Sequence, residues 1–164
     1  MNGRGDTRTP TDRERAEWFD PDGRTGDRGL RFSCTMCGNC CSGPEGFVLV
    51  SDEEARALAT RLGLPLAEFR ERYTRIVPQG VSLTEVLSEV GNDCVFLDRR
   101  SVPGKALCGV YEDRPAQCRT WPFWPSVVRD RASWERHKRV CPGMDTGTLV
   151  PVDRVRILRD SFRI

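Results

Sequence analysis

An α+β fold is what this sequence predicts: a small domain with a helical hairpin, a short β-hairpin and cysteine-bearing loops. Three observations carry the prediction. Apolar residues recur at helical spacing behind a capping signal at Ser51, and two apolar runs flank a Pro103-Gly104 turn. Four of the eight cysteines crowd into Phe32–Gly43, F-S-C-T-M-C-G-N-C-C-S-G, and the other four are spread through the next hundred positions.

The 164 residues suit one domain, assigned to residues 17–164. Residues 1–16 mix Gly, Arg, Asp, Thr and Pro with almost nothing apolar, so a disordered N-terminal tail is expected there. At 38% hydrophobic and 30% charged, the composition is that of a globular chain that gains from an added staple. The net charge of +2 comes from interspersed residues and makes no basic face, which argues against nucleic acid as a partner. No apolar leader and no 18-residue apolar run is present, so no membrane association and a cytoplasmic location are expected. In a reducing compartment eight cysteines read as ligands or redox groups rather than a disulfide framework.

Along the chain, Trp18 and Phe19 are the first core candidates, Asp20-Pro21-Asp22-Gly23 is a turn, and Leu30 and Phe32 anchor the cysteine loop. Phe47–Val50 is of strand type. Ser51 with Glu54 forms a capping box, Ala55, Leu58, Ala59 and Leu62 make the helical stripe, and Gly63 stops it. Pro65 opens a second helix carried by Leu66, Phe69, Tyr73 and Ile76 up to Pro78, so the two helices pack as a hairpin. Residues 81–90 read as a helix opened by Ser82 and Glu85, with a strand as the alternative. Cys94–Leu97 and Ala106–Tyr111 form the β-hairpin, which would place Cys94 and Cys108 on neighbouring strands. Asp113 caps a short helix carrying Cys118 and ended by Pro122, with Trp121, Phe123 and Trp124 packing over the cysteines. Asp130–Val140 is helical, and Val152, Val155, Leu158 and Phe162 mark a last amphipathic helix.

The chemistry lies in the thiols. A C-x-x-C turn points two thiolates at one ion while backbone N–H groups stabilise their charge, and here two such turns overlap as Cys34, Cys37 and Cys40. Cys40 and Cys41 are adjacent, and consecutive side chains of an extended segment leave it on opposite sides, so they are assigned to different sites. With Cys94, Cys108, Cys118 and Cys141 the eight thiolates divide into two sets of four, enough for two Zn2+ ions or two 4Fe-4S clusters, or for one of either plus free thiols. Cys34-x-x-Cys37-x-x-Cys40 with remote Cys141-Pro142 is similar to the bacterial ferredoxin ligand pattern, except that Cys41 stands where that pattern has a cysteine three residues on. A thioredoxin-like site lacks the flanking strand and helix. The lone His137, in an Arg/Lys-rich helix, has no motif that would make it a cysteine hydrolase base. No phosphate or dinucleotide loop is present.

Gly29-Leu30-Arg31-Phe32-x-Cys34-x-x-Cys37-Gly38-x-Cys40-Cys41, Cys94-Val95-Phe96-Leu97, Cys108-x-Val110-Tyr111-Glu112-x-Arg114-Pro115-x-Gln117-Cys118-Arg119-x-Trp121-Pro122 and Cys141-Pro142-Gly143 resemble the bacterial CxxCxxCC cysteine-cluster family, the YkgJ-type zinc- or iron-chelating domains. The resemblance implies a metal-binding role, with all eight cysteines as ligands and members labelled iron–sulfur oxidoreductases. Arg114, Gln117 and Arg119 belong to the shared motif and are candidate cofactor-binding residues, able to hydrogen-bond sulfurs or an anion; the alternative is a helix-cap salt bridge. The expected function is a thiolate-ligated iron–sulfur or zinc protein with a redox or electron-transfer role. Two alternatives stand beside it: a structural zinc module that presents the helical hairpin to a protein, and a metal chaperone.

Overall fold

The computed structural model describes residues 17–20 and 28–162. The expected tail, 1–16, and most of the Asp20–Gly23 turn lie outside these residues. The architecture is mixed α+β, with several small antiparallel sheets and short helices.

Strand β1 (Gly29–Phe32) leads into the cysteine loop, which tightens into a 3-10 turn at Asn39–Cys41 and leaves through β2 (Ser42–Gly43). Helix α1 (Asp52–Leu62) begins where the capping box requires: Ser51 Oγ accepts from Glu54 N, the Glu54 carboxylate accepts from Ser51 N, and Gly63 closes the helix at φ 66°. Helix α2 (Leu66–Tyr73) packs back on α1, and Leu58 and Phe69 are fully buried.

The second helix ends earlier than expected. Ile76 belongs to β3 (Thr74–Val77), which pairs with β4 (Gly80–Leu83), and it is 81% exposed rather than part of a core stripe. The helix expected over residues 81–90 is also corrected: β4 is followed by β5 (Glu85–Ser88) and β6 (Gly91–Cys94). The β-branched residues decide it, because Val81 and Val86 fit a pleated surface better than a helical one. Sheet order is β2-β6-β5. Phe47–Val50 runs beside β4 through Val50 N to Val81 O (2.9 Å) and Leu83 N to Val48 O (2.8 Å), with one bridge at Leu49 and Ser82.

The β-hairpin is shorter and differently registered. β7 (Leu97–Asp98) pairs with β8 (Leu107–Cys108), so Cys108 faces Leu97 and not Cys94, which closes β6 opposite Glu85. Asp113 is not a helix cap. It lies in a 3-10 turn, Tyr111–Asp113, and pairs with Arg61; α3 (Ala116–Thr120) starts behind Pro115. Then come α4 (Pro125–Val128) and α5 (Arg131–Lys138), whose cap Asp130 accepts from Ser133 N at 2.6 Å. An unexpected strand, β9 (Met144–Pro151), pairs with β1 before the expected last helix, α6 (Val152–Asp160).

Two apolar cores result. One joins Phe19 and Leu30 to Phe123, Trp134, Met144 and Val155, from the two ends of the described chain. The other joins Leu58, Phe69, Leu83, Phe96 and Val110, all from its middle.

Candidate metal centre

The cysteine loop is held on three sides. Ala106 N donates to Met36 O (2.8 Å), Asn39 Nδ2 to Val140 O (2.7 Å), and Ser33 N to Gly143 O (3.1 Å). Ser42 meanwhile pairs with Asp93 across β2 and β6. Gly38 takes φ 78° at the start of the 3-10 turn, where an added Cβ would lie 2.6 Å from the Ala106 Cβ. Glycine is needed here both for its backbone angle and for its missing side chain.

Around this loop Cys34, Cys40, Cys41, Cys94, Cys108 and Cys118 line one cavity of about 150 Å³, where the two cores meet. Its remaining wall is largely apolar, with Phe96, Val110, Trp121 and Trp124, and no histidine, aspartate or glutamate lines it. All eight cysteines are free thiols; Cys34 and Cys40 are exposed and Cys141 is buried. Cys40 and Cys41 do not diverge as the extended-chain argument expected. The 3-10 turn puts their sulfurs 3.5 Å apart on the same cavity.

The thiols feel one another in two neighbourhoods. The hydrogen bond with Cys41 brings Cys40 down to about 7, with the Arg114 guanidinium helping, while Cys41 is pushed strongly up by that same bond, by burial, and by Cys40, Cys118 and Cys94. The pair thus gives up one proton readily and holds the second. Burial first, then Cys108 and Cys40 among its neighbours, pushes Cys94 up to about 11; burial with Cys94, Cys108 and Cys40 pushes Cys118 up further. Cys141 belongs elsewhere: burial raises it, the Trp121 indole N–H opposes this, and its thiol neighbours are Cys37 and Cys40. Cys40 is the member common to both groups.

The three non-cysteine candidates separate. Arg114 lines the cavity with its guanidinium 3.7 Å above the Tyr111 ring, and its charge favours the thiolates of Cys40, Cys108 and Cys118. Gln117, also on the cavity, is buried and bridges two backbone groups, donating to Phe47 O (2.9 Å) and accepting from Leu49 N (2.8 Å). Arg119 donates to Arg114 O and pairs with Glu54 at 3.5 Å, away from the cavity wall. His137 donates from Nδ1 to Ser133 O (2.8 Å) and does not line the cavity.

One residue escaped the sequence reading. Arg99 is paired with Asp93 (3.1 and 3.2 Å), packs against Gly38, and is held charged first by Asp93 and further by Cys41 and Cys37. Its only sequence signal was its place between Cys94 and Cys108.

A wall of soft sulfur donors without carboxylate or imidazole suits zinc or iron–sulfur centres and does not suit magnesium or calcium. Among the described residues, no three His, Cys, Asp or Glu side chains converge on one point as an ion's ligands would. The sulfurs stand around a space instead.

The sequence profile of the CxxCxxCC zinc- or iron-chelating domain family matches residues 33–142. Over 95 residues the chain is 32% identical to an uncharacterized protein of Methanocaldococcus jannaschii; the aligned part covers 58% of this chain and 46% of that protein, about half its length. No solved structure matches the chain.

Proposed function

This chain belongs to the CxxCxxCC family of zinc- or iron-chelating domains, and on that premise we propose that it is a cytoplasmic iron–sulfur protein with an electron-transfer or redox role. The observation that carries this reading is the cavity of about 150 Å³ with six cysteines on its wall and no carboxylate or imidazole. Four thiolates drawn onto one zinc ion would leave no such space, since Zn–S bonds are only about 2.3 Å long. A polynuclear cluster has atoms of its own to fill it.

Within this reading the ferredoxin-like spacing assigns Cys34, Cys37, Cys40 and Cys141 to one set, with Cys37 and Cys40 the thiol neighbours of Cys141, and leaves Cys41, Cys94, Cys108 and Cys118, all on one cavity, to the other. An iron–sulfur centre supplies reversible one-electron transfer when bound. The chain's own residues set the conditions. Arg114 on one side and Arg99 on the other offset thiolate charge, and Trp121, Trp124 and Phe96 keep the wall apolar. Gln117 holds the Phe47–Leu49 segment in place behind the cavity. Among the described residues no helix is long and apolar enough to cross a membrane.

A structural zinc module is the second reading, favoured by the cavity's position at the seam of the two cores, where any bound ion would tie them together. Iron, zinc and acid-labile sulfide in anaerobically purified protein decide between the two. Iron with near-equimolar sulfide, about eight of each per chain for two clusters, and visible absorption that bleaches on reduction are expected. Zinc without sulfide would overturn the redox reading and leave the structural one.

A further inference from the structure

The sulfurs of Cys40 and Cys41 stand 3.5 Å apart and make the one thiol–thiol hydrogen bond among the described residues. The backbone builds this approach. Cys41 N donates to Gly38 O (2.9 Å) to close the 3-10 turn, Asn39 Nδ2 ties the turn to Val140 O (2.7 Å), and Ser42 enters β2 at once, opposite Asp93. Cys40 is exposed and Cys41 half-buried, so a solute reaches the first sulfur while the second stands against it. Cys34 is equally exposed, but its sulfur accepts from Met36 N (3.4 Å).

An exposed thiol with a second thiol in contact is the arrangement of a sensor cysteine and its resolving partner. Adjacency sets the character of the bond they would form. Neighbouring Cα atoms lie about 3.8 Å apart across a trans peptide, short of the span of about 4.4–6.8 Å usual for a disulfide. A bond closed there is strained, and strained or exposed disulfides are the ones most easily reduced. That suits a reversible switch and not a permanent staple.

We propose that Cys40 and Cys41 are a redox switch of the metal-free chain, joined by a peroxide as a vicinal disulfide and reopened by a monothiol of the glutathione class. The Cys40 sulfur attacks one peroxide oxygen, the O–O bond breaks, and Cys40 becomes a sulfenic acid as water leaves. The Cys41 sulfur then attacks the Cys40 sulfur, the S–O bond breaks and a second water leaves. Two thiols have lost two protons and two electrons, and the peroxide has become two waters. Two monothiols restore the pair and leave as their own disulfide. The consequence for metal rests on the reading above, in which Cys40 and Cys41 belong to different sets of four: one bond takes a ligand from each.

The full chain, reduced, metal-free and anaerobic, is treated with one equivalent of hydrogen peroxide, alkylated and mapped by tandem mass spectrometry of the tryptic peptide Phe32–Arg56, which carries Cys34, Cys37, Cys40 and Cys41. A mass lower by two hydrogens is expected, with Cys34 and Cys37 alkylated and Cys40 and Cys41 protected. Glutathione should make all four alkylatable again. Cys41→Ser should instead stop at a Cys40 sulfenic acid that dimedone traps; the wild-type map stands by itself should that variant fail to fold. Loading with iron and sulfide, or with cobalt(II), should fall about 10-fold or more in the oxidised chain, since even a ligand's hydrogen-bond partner is worth that much, and should return with glutathione. Protection of any other pair, continued alkylation of Cys40 and Cys41, or a bond that glutathione leaves closed would overturn the switch. An oxidised chain that loads fully, or loses only half its metal, would overturn the claim that one bond disables both sets. A reduced chain that loads with neither metal overturns the metal reading, while the map still decides whether the two sulfurs pair.

Discussion

Replacing Gly38 by alanine isolates what the cysteine loop demands of its backbone. Gly38 sits at φ 78°, where a side chain costs about 1–2 kcal/mol. The new methyl would also lie 2.6 Å from the Ala106 Cβ and 3.2 Å from Arg99 Nη1, well inside ordinary contact. The loop cannot simply lift away, because Ala106 N donates to Met36 O from the same place. Overpacking of this kind adds about 1–3 kcal/mol, for a total near 3 kcal/mol and a melting point lower by about 6–12 °C. Gly104→Ala is the matched control: its φ of 72° carries the same backbone penalty, but nothing lies within 4 Å of the added Cβ. Thermal and urea unfolding of the reduced, metal-free chain, followed by circular dichroism, measures both. Gly38→Ala with Ala106→Gly should recover the steric part as a coupling of about 1–3 kcal/mol. If Gly38→Ala and Gly104→Ala melt together, or the double variant recovers nothing, the contact with Ala106 is not what excludes a side chain.

Other substitutions test the rest of the site. Gln117→Leu leaves Phe47 O and Leu49 N without their partner and should destabilise the chain by about 2–4 kcal/mol in urea titrations; loss of metal at unchanged stability would contradict the bridging role. The hydrogen bond from Arg99 holds the Asp93 carboxyl below its ordinary range, so its stabilisation is fully present above about pH 4 and is lost as the pH falls through the lower folded value. Asp93→Asn should therefore lower the urea midpoint at pH 7, and its gap from wild type should narrow as the pH is taken below about 4; a gap that stays constant with pH would be wrong for this pairing. Cys118→Ser should remove about half of the bound iron and sulfide and leave the ferredoxin-like set loaded. Complete loss, or none, would refute the four-and-four division.

What could be read from the sequence was what is local. The α1 capping box and Gly63 stop are encoded within thirteen residues, and both form as expected. β9 was invisible because Met144–Pro151 carries no alternation of apolar residues and is mostly exposed; it exists because β1 offers it a partner more than a hundred positions away. β5 misled for a related reason: Leu87 is 80% exposed, so an apolar run that would stripe a helix instead faces outward from an edge strand. In the site, the C-x-x-C spacing identified the thiols, but the extended-chain premise used to separate Cys40 from Cys41 does not hold, since a 3-10 turn brings together side chains that an extended chain separates. Arg99 lies in no cysteine motif and reaches the loop only through tertiary packing on Gly38.

The interleaving of the two cores gives synthesis a timetable. Residues of the middle core span Val50 to Val110 and can pack as soon as that stretch has left the ribosome. Phe19 and Leu30 must wait for Trp134 to Val155 before their own core closes. At about 5–20 residues per second, the hundred positions between Cys41 and Cys141 take roughly 5–20 s to translate. For that interval the vicinal pair at the head of the chain is nascent and reducing, with its distant partner still unmade. Survival of those thiols to the moment of metal capture is then a contest between elongation rate and oxidation.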